Sequence, residues 1–308
     1  SDVVAQGATS ITINGRNFGA SMGIGGVLIG APNAATTAPT DATAYSTLPV
    51  TSWSDTSITV SVPAASSTFL PGPRELLVAN HNNIRTAQGI TIHVMGSAED
   101  PADHLIKTYN PTVFKVGPGQ TYDPATGGSI QSALDAAAAL GASASTLVVV
   151  YPGTALAPTS PIGSAAPRGE YVENPIMHSG VKLQGVGPGG FQADGTWVPG
   201  SIIDGQGFFM DGTTGPAWMA RVAALQYKNQ TVEVPDSQTL TVLTPTSGTG
   251  DAKPAIDGFR IVGGHEQGQP TNVNVVTNGN QTPYGGLTGG QAITQGGGIY
   301  VHGGSDGL

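Results

Sequence analysis

From Tyr171 onward the chain keeps returning to one phrase: a short strand, a glycine turn, another short strand. The instances are YVENPIM, GVKLQGVG, SIIDGQG, AIDGFRIVGG and GGGIYVHGG. A unit that short cannot bury its apolar side alone. With no helical period running through the series, the units are expected to stack strand upon strand as a β-solenoid. Two insertions break the spacing. One is a Pro/Ala/Ser-rich stretch between Thr154 and Gly169; the other, about 208–253, carries Trp218, Tyr227 and the strand-like QTVEV and LTVLT. Just ahead of the series, Leu147–Val150 is a continuous apolar run, the pattern of a strand buried on both faces. Before it, Val113–Val116 reads as a short strand. One convincing helix follows, with Ser129 as N-cap, Ile130, Ala133, Leu134, Ala137 and Ala138 at helical spacing, and Gly141 placed to end it. This amphipathic helix is expected to cap the open first coil.

Residues 11–94 follow a different rhythm. Alternating polar and apolar runs end at Asn14-Gly15, at Gly30, at Ser54-Asp55 and at Pro63, and two more follow at Glu75–Val78 and Ile90–Val94. Period-2 strands every ten to fifteen residues, punctuated by Gly, Pro, Asn and Asp, indicate a β-sandwich. The Ala/Thr/Pro-rich residues 31–47 read as a surface loop.

Composition narrows the function classes. Charged residues are 10% of the chain against the usual quarter, and the net charge is −9 with only 11 scattered Lys and Arg. Nucleic-acid binding needs clustered cations, so nucleic acid is excluded as an expected partner. Cysteine is absent. That removes a disulfide framework and thiolate metal sites, and is compatible with a bacterial exported protein. No apolar stretch approaches the ~18 residues of a membrane span. The opening at Ser1 reads as a processed or trimmed chain.

The strings ITINGRNFG, VLIG, VTSWSDTSITVSVP and GPRELLV resemble the IPT/TIG family of immunoglobulin-like domains. The resemblance implies that Gly15, Asn17, Phe18 and Gly19 form a turn after the first strand, and that Trp53 begins the central hairpin as a core or partly buried residue. It also implies a spacer or binding module without catalytic residues. From about 115 to 308, the order GGSIQSALDAA, LVVVYPGT, GEYVENPIM, GVKLQGVG, SIIDG, AIDGFRIVGG, GGGIYVHG resembles the opening of a pectin lyase-like right-handed parallel β-helix. The expected fold is therefore all-β. Residues 1–95 form the IPT/TIG immunoglobulin-like domain, 96–112 a linker, and 113–308 the start of a pectin lyase-like parallel β-helix, incomplete at its C-terminal end.

Polysaccharide-cleaving members of that superfamily need paired carboxylates, or a base with a cation. The motifs Asn-Thr-Asp, Asp-Asp, Gly-His-Gly and Arg-Ile-Lys do not occur; the nearest strings are GGHEQG and FRIVGG. Asp204 and Asp257 sit in Ile-Asp-Gly turns, where each is expected to cap its own turn. His178, His265 and His302 fall on different coils and lack a third ligand for a metal. The glycines of GVGPGG are a turn, since no Lys-Ser/Thr and no helix follow. Trp197, Trp218, Tyr227 and Tyr171 are expected to pack, with sugar stacking as the alternative. No catalytic residue, cofactor or metal ligand is assigned.

The ending GGGIYVHGGSDGL reads as mid-coil, so a polysaccharide or another protein chain completing the β-helix is the expected partner. Three functional readings stay open. The first is an extracellular or cell-surface structural or adhesion protein with a glycan-binding surface. The second is a polysaccharide lyase or glycoside hydrolase, and the third is non-catalytic modules of a larger secreted enzyme.

Overall fold

The structure is a computed structural model. It describes residues 3–30, 45–86, 89–141, 143–154, 169–177, 180–191, 197–205, 226–227, 230–231, 239–243, 254–263 and 298–302. Strands dominate, and they fall into the two groups that the sequence rhythm separates.

The first group is a sandwich: β1 (Val4–Gln6), β2 (Thr9–Asn14), β3 (Gly26–Gly30), β4 (Tyr45–Leu48), β5 (Val50–Trp53), β6 (Ser57–Val62), β7 (Gly72–Ala79), β8 (Ile90–Glu99) and β9 (Ile106–Tyr109). One sheet runs β1-β8-β7-β3-β4, with β9 added to the far half of β8; the other runs β2-β6-β5. Alternation puts Ile11, Val27, Ile29, Ile58, Val60, Leu76 and Ile92 into one shared core between the sheets. Residues 96–112, expected as a linker, depart from that reading. β8 continues through Glu99 and pairs antiparallel with β9, Gly96 opposite Tyr109 and Glu99 opposite Ile106. The polar composition that suggests a linker belongs to an exposed hairpin.

The turn after β2 shows why its residues are what they are. Asn17 and Gly19 adopt left-handed φ of 59° and 96°. Gly19 N–H donates to Asp55 Oδ1 at 2.9 Å, and Trp53 Nε1 donates to the Gly19 carbonyl at 3.0 Å. Phe18 is buried and meets Trp53 edge-on, ring centroids 6.1 Å apart.

The second group is a coil. It comprises β10 (Thr112–Val116), α1 (Ile130–Ala138), β11 (Thr146–Val150), β12 (Tyr171–Val172), β13 (Ile176–Met177), β14 (Lys182–Gly185), β15 (Gly190–Phe191), β16 (Trp197–Val198), β17 (Ser201–Asp204), β18 (Gln226–Tyr227), β19 (Gln230–Thr231), β20 (Leu240–Leu243), β21 (Ala255–Asp257), β22 (Phe259–Val262) and β23 (Ile299–His302). Leaving aside the two small antiparallel hairpins β15–β16 and β18–β19, the strands form three parallel sheets: β10-β11-β14-β21, β12-β17-β22 and β13-β20-β23. Chain order visits the three sheets in the same cycle three times. The string LTVLT, placed by spacing in an insertion, contributes β20, which pairs with both β13 and β23 and so belongs to the coil itself.

Register stacks like on like: Val148, Leu183 and Ile256 in the first sheet, Tyr171, Ile203 and Ile261 in the second. Between the first two sheets the chain turns at Gly185 and Gly258. A Cβ on Gly258, whose φ is +76°, would stand 2.4 Å from the Gly185 carbonyl oxygen, so glycine is what lets successive coils touch there.

Helix α1 packs Ile130, Ala133, Leu134 and Ala137 against the apolar side chains of the coil, and its polar side chains fix it there. Ser129 and Ser132 form a reciprocal capping box. The next amides, of Ile130 and Gln131, donate to the two carboxylate oxygens of Glu173 at 3.1 and 3.2 Å. The Gln131 side chain takes the place of a missing strand beside β13: its Nε2 donates to the Ile176 carbonyl at 3.1 Å and its Oε1 accepts from the Ile176 N–H at 2.7 Å. Ile176 is fully buried. Gln131→Ala leaves both backbone groups unpaired and is expected to cost the coil about 2 kcal/mol, read as a lowered denaturation midpoint. Gln131→Glu sets a carboxylate against the Ile176 carbonyl and the Asp135 carboxylate, both of which the Gln131 amide now donates to, and should cost at least as much.

Candidate functional site: the junction of sandwich and coil

Strand β8 alternates Ile-Thr-Ile-His-Val from Ile90. Ile92 and Val94 enter the sandwich core, which turns Thr91 and His93 to the opposite face. Strand β11 is buried on both faces, as its apolar run predicts. Val148 and Val150 point into the coil, while Leu147 and Val149 point outward and pack with Val3 and Val4 of the sandwich. The sandwich therefore lies along the outer face of the first parallel sheet, and the cover that a doubly buried strand requires is the neighbouring unit.

Polar groups cross the same seam. Gln184, 3% exposed, directs its Nε2 to the Gly185 carbonyl at 2.8 Å and to Asp257 Oδ2 at 3.3 Å. Its Oε1 thus faces His93 Nε2 at 3.1 Å, and the 2% exposed imidazole carries its hydrogen on that nitrogen. His93 Nδ1 then accepts from the Tyr109 hydroxyl at 2.7 Å. Asp257 Oδ2 also accepts from the Thr91 N–H at 2.6 Å. Lys182 Nζ sits 4.9 Å from the centre of the Tyr109 ring. Burial pushes the His93 pKa down to about 4; nearby Lys182 lowers it further, while the Gln184 bond and Asp257 oppose the shift. Burial also lowers the Lys182 pKa and raises that of Tyr109.

Asp257 corrects the expectation that it caps its own turn: its carboxylate holds a backbone amide of the sandwich. Tyr171 is a packing residue, 4% exposed, its hydroxyl donating to the Tyr151 carbonyl at 2.8 Å, which removes it from the sugar-stacking alternative. Trp53 packs partly buried against the sandwich core. Trp197 is half-buried on β16. His178, His265 and Trp218 lie outside the described residues, as do the side chains of Tyr227 and His302. Sequence reasoning missed His93, Tyr109, Gln184 and Lys182. The available signal is polar residues at the outward positions of β14, the strand paired with the apolar β11, and at alternate positions of β8.

Residues 1–94 match the IPT/TIG domain family model. The immunoglobulin-like reading of the sandwich stands on that match, and the sandwich is called the TIG module from here on. TIG domains are often found in cell-surface, adhesion and signalling proteins, and commonly mediate protein–protein interaction. No curated protein matches the chain. Among the described residues no helix is long and apolar enough to cross a membrane.

Proposed function

We propose that this chain is a rigid structural or adhesion element at the cell surface or outside the cell. In this reading the TIG module is fixed to the opening coils of a right-handed, pectin lyase-like parallel β-helix that presents a glycan-binding surface. The observation that carries the reading is the junction. Apolar packing and two polar bridges bind the modules along a strand face, which suits a load-bearing block better than two beads on a tether. The cyclic order of the three parallel sheets and the helix over the first coil support the β-helical part.

The described carboxylates support the same reading, because many are spent on architecture. Asp55 holds the Gly19 amide, Glu75 holds Tyr45 and Gly89, Glu173 caps α1, and Asp257 bridges the modules. The partner proposed for the coil is a polysaccharide or a further protein chain stacking on β23. There Ile299 and Val301, in register with buried Leu240 and Val242, are 47% and 44% exposed.

The test is to immobilise the full chain on beads and challenge it with acidic and neutral polysaccharides. Retention without new reducing ends or unsaturated products is the expected result. Products that scale with the amount of chain would replace the reading with a polysaccharide-cleaving one. Retention of nothing across the panel would remove the glycan surface from it.

A further inference from the structure

The seam holds a titratable group in a place where its charge state decides whether the two faces can stay together. We propose that the His93 junction is an acid-operated release, in which protonation of the imidazole frees the TIG module from the outer face of the coil while both modules remain folded. This goes beyond the structural role proposed above and does not depend on which ligand the chain binds.

Both imidazole nitrogens are committed in the neutral form, one donating to Gln184 and one accepting from Tyr109. A second proton would sit on Nδ1, directed at a hydroxyl that is already donating there. Tyr109 would have to turn its own hydrogen away from the pair. The charge would be almost fully desolvated.

The surroundings do not favour the cation. From β14, Lys182 faces the same cluster with its own charge against the Tyr109 ring. From β21, Asp257 is the facing carboxylate, and its Oδ2 is shared between the Thr91 amide and Gln184. Strand β7 places Pro73 opposite His93; Glu75, two positions along, is engaged by Tyr45 and Gly89. Strands β1 and β11 bring only apolar Val4, Leu147 and Val149.

The effect is confined to the seam. His93 lies on the face of β8 away from the sandwich core, and the lumen of the coil lies behind β11, so neither core contains the titrating group. With the modules apart, the imidazole regains water and its ordinary pKa of about 6.5. The sign follows: the docked state binds fewer protons than the open one, so docking is fully stable above about pH 6.5 and weakens as pH falls toward 4. The opening equilibrium shifts on the order of a hundredfold between pH 7 and pH 4. Opening also uncovers Leu147 and Val149, an apolar strip hidden at neutral pH.

The chain contains no native cysteine, so a fluorescence donor and acceptor can be placed on Ser10→Cys and Arg260→Cys, both exposed and one on each module. Energy transfer is expected to change reversibly between pH 7 and pH 4, with unchanged far-ultraviolet circular dichroism. In His93→Gln, which can donate to Gln184 and accept from Tyr109 but cannot titrate, the pH 7 value should persist. Constant transfer down to pH 4, a change that coincides with loss of circular dichroism, or the same change in His93→Gln would each overturn the proposal. If His93→Gln does not fold, the His93 imidazole is titrated by NMR in the otherwise unchanged chain. A transfer change that does not track that titration overturns the proposal equally.

Discussion

Gly19→Ala is expected to lower the stability of the TIG module by about 3–5 kcal/mol, a large part of the 5–15 kcal/mol that holds a typical domain together. Two independent costs meet at this position. The left-handed φ of +96° penalises any Cβ by about 1–2 kcal/mol. The added Cβ would also stand 2.3 Å from His81 Nδ1 and 2.7 Å from His81 Cβ, so rotating the ring cannot relieve the clash and the backbone must shift. The shift strains the bonds made by the Gly19 amide and carbonyl to Asp55 and Trp53, each worth about 1 kcal/mol. Gly7→Ala separates the two costs. Its φ is +69°, yet nothing lies within 4 Å of the added carbon, so it should cost only about 1 kcal/mol. Chemical denaturation of both variants checks the pair; equal losses would remove the contact with His81 from the explanation.

Leu147→Asp is expected to cost about 4 kcal/mol or more and to separate the modules at neutral pH. Leu147 is fully buried on the outer face of β11 against Val3 and Val4. Lys182 of β14 lies beside it in register, but its ammonium is held against the Tyr109 ring, so a carboxylate buried against Val3 and Val4 is still among the most costly single changes available. Thr112→Asp is the control. Thr112 is exposed on the neighbouring β10, and a change there should stay within about 0.5 kcal/mol. Denaturation midpoints with the energy-transfer pair described above read stability and docking together. A Leu147→Asp chain that stays docked would show that this face of β11 is not covered by the TIG module.

What could be read from sequence follows a physical divide between local and distant partners. Helix α1 was legible because Ser129 and the Ile130–Ala138 stripe are local signals, and β11 because four apolar residues in a row need cover on both sides. What covers β11 was not legible, since Val3 and Val4 carry no mark of the strand they meet. In sequence Asp257 reads as a turn cap, because the amide it holds, that of Thr91, lies 166 residues away in the chain. The LTVLT strand reads as part of an insertion because the flanking stretches break the repeat that otherwise reveals coils. Polar composition concealed the β8–β9 hairpin, whose side chains face water on one side. The candidate site is the extreme case: the β8–β9 hairpin carries His93 and Tyr109, the stacking of β14 on β21 carries Gln184 and Asp257, and only the docking of sandwich on coil joins the two pairs.

That stacking is the claim on which the rest depends, and the cysteine-free sequence allows a direct test. Lys182 and Ala255 are neighbours in the parallel register of β14 and β21, at the usual strand spacing of about 4.8 Å, although 72 positions separate them in the chain. In the double variant Lys182→Cys/Ala255→Cys, a short reagent that bridges adjacent thiols is expected to link the two sites within one chain, identified by peptide mass spectrometry. Single modification of each thiol without a bridge, in a chain whose circular dichroism matches the parent, would contradict the coil and the junction built on it.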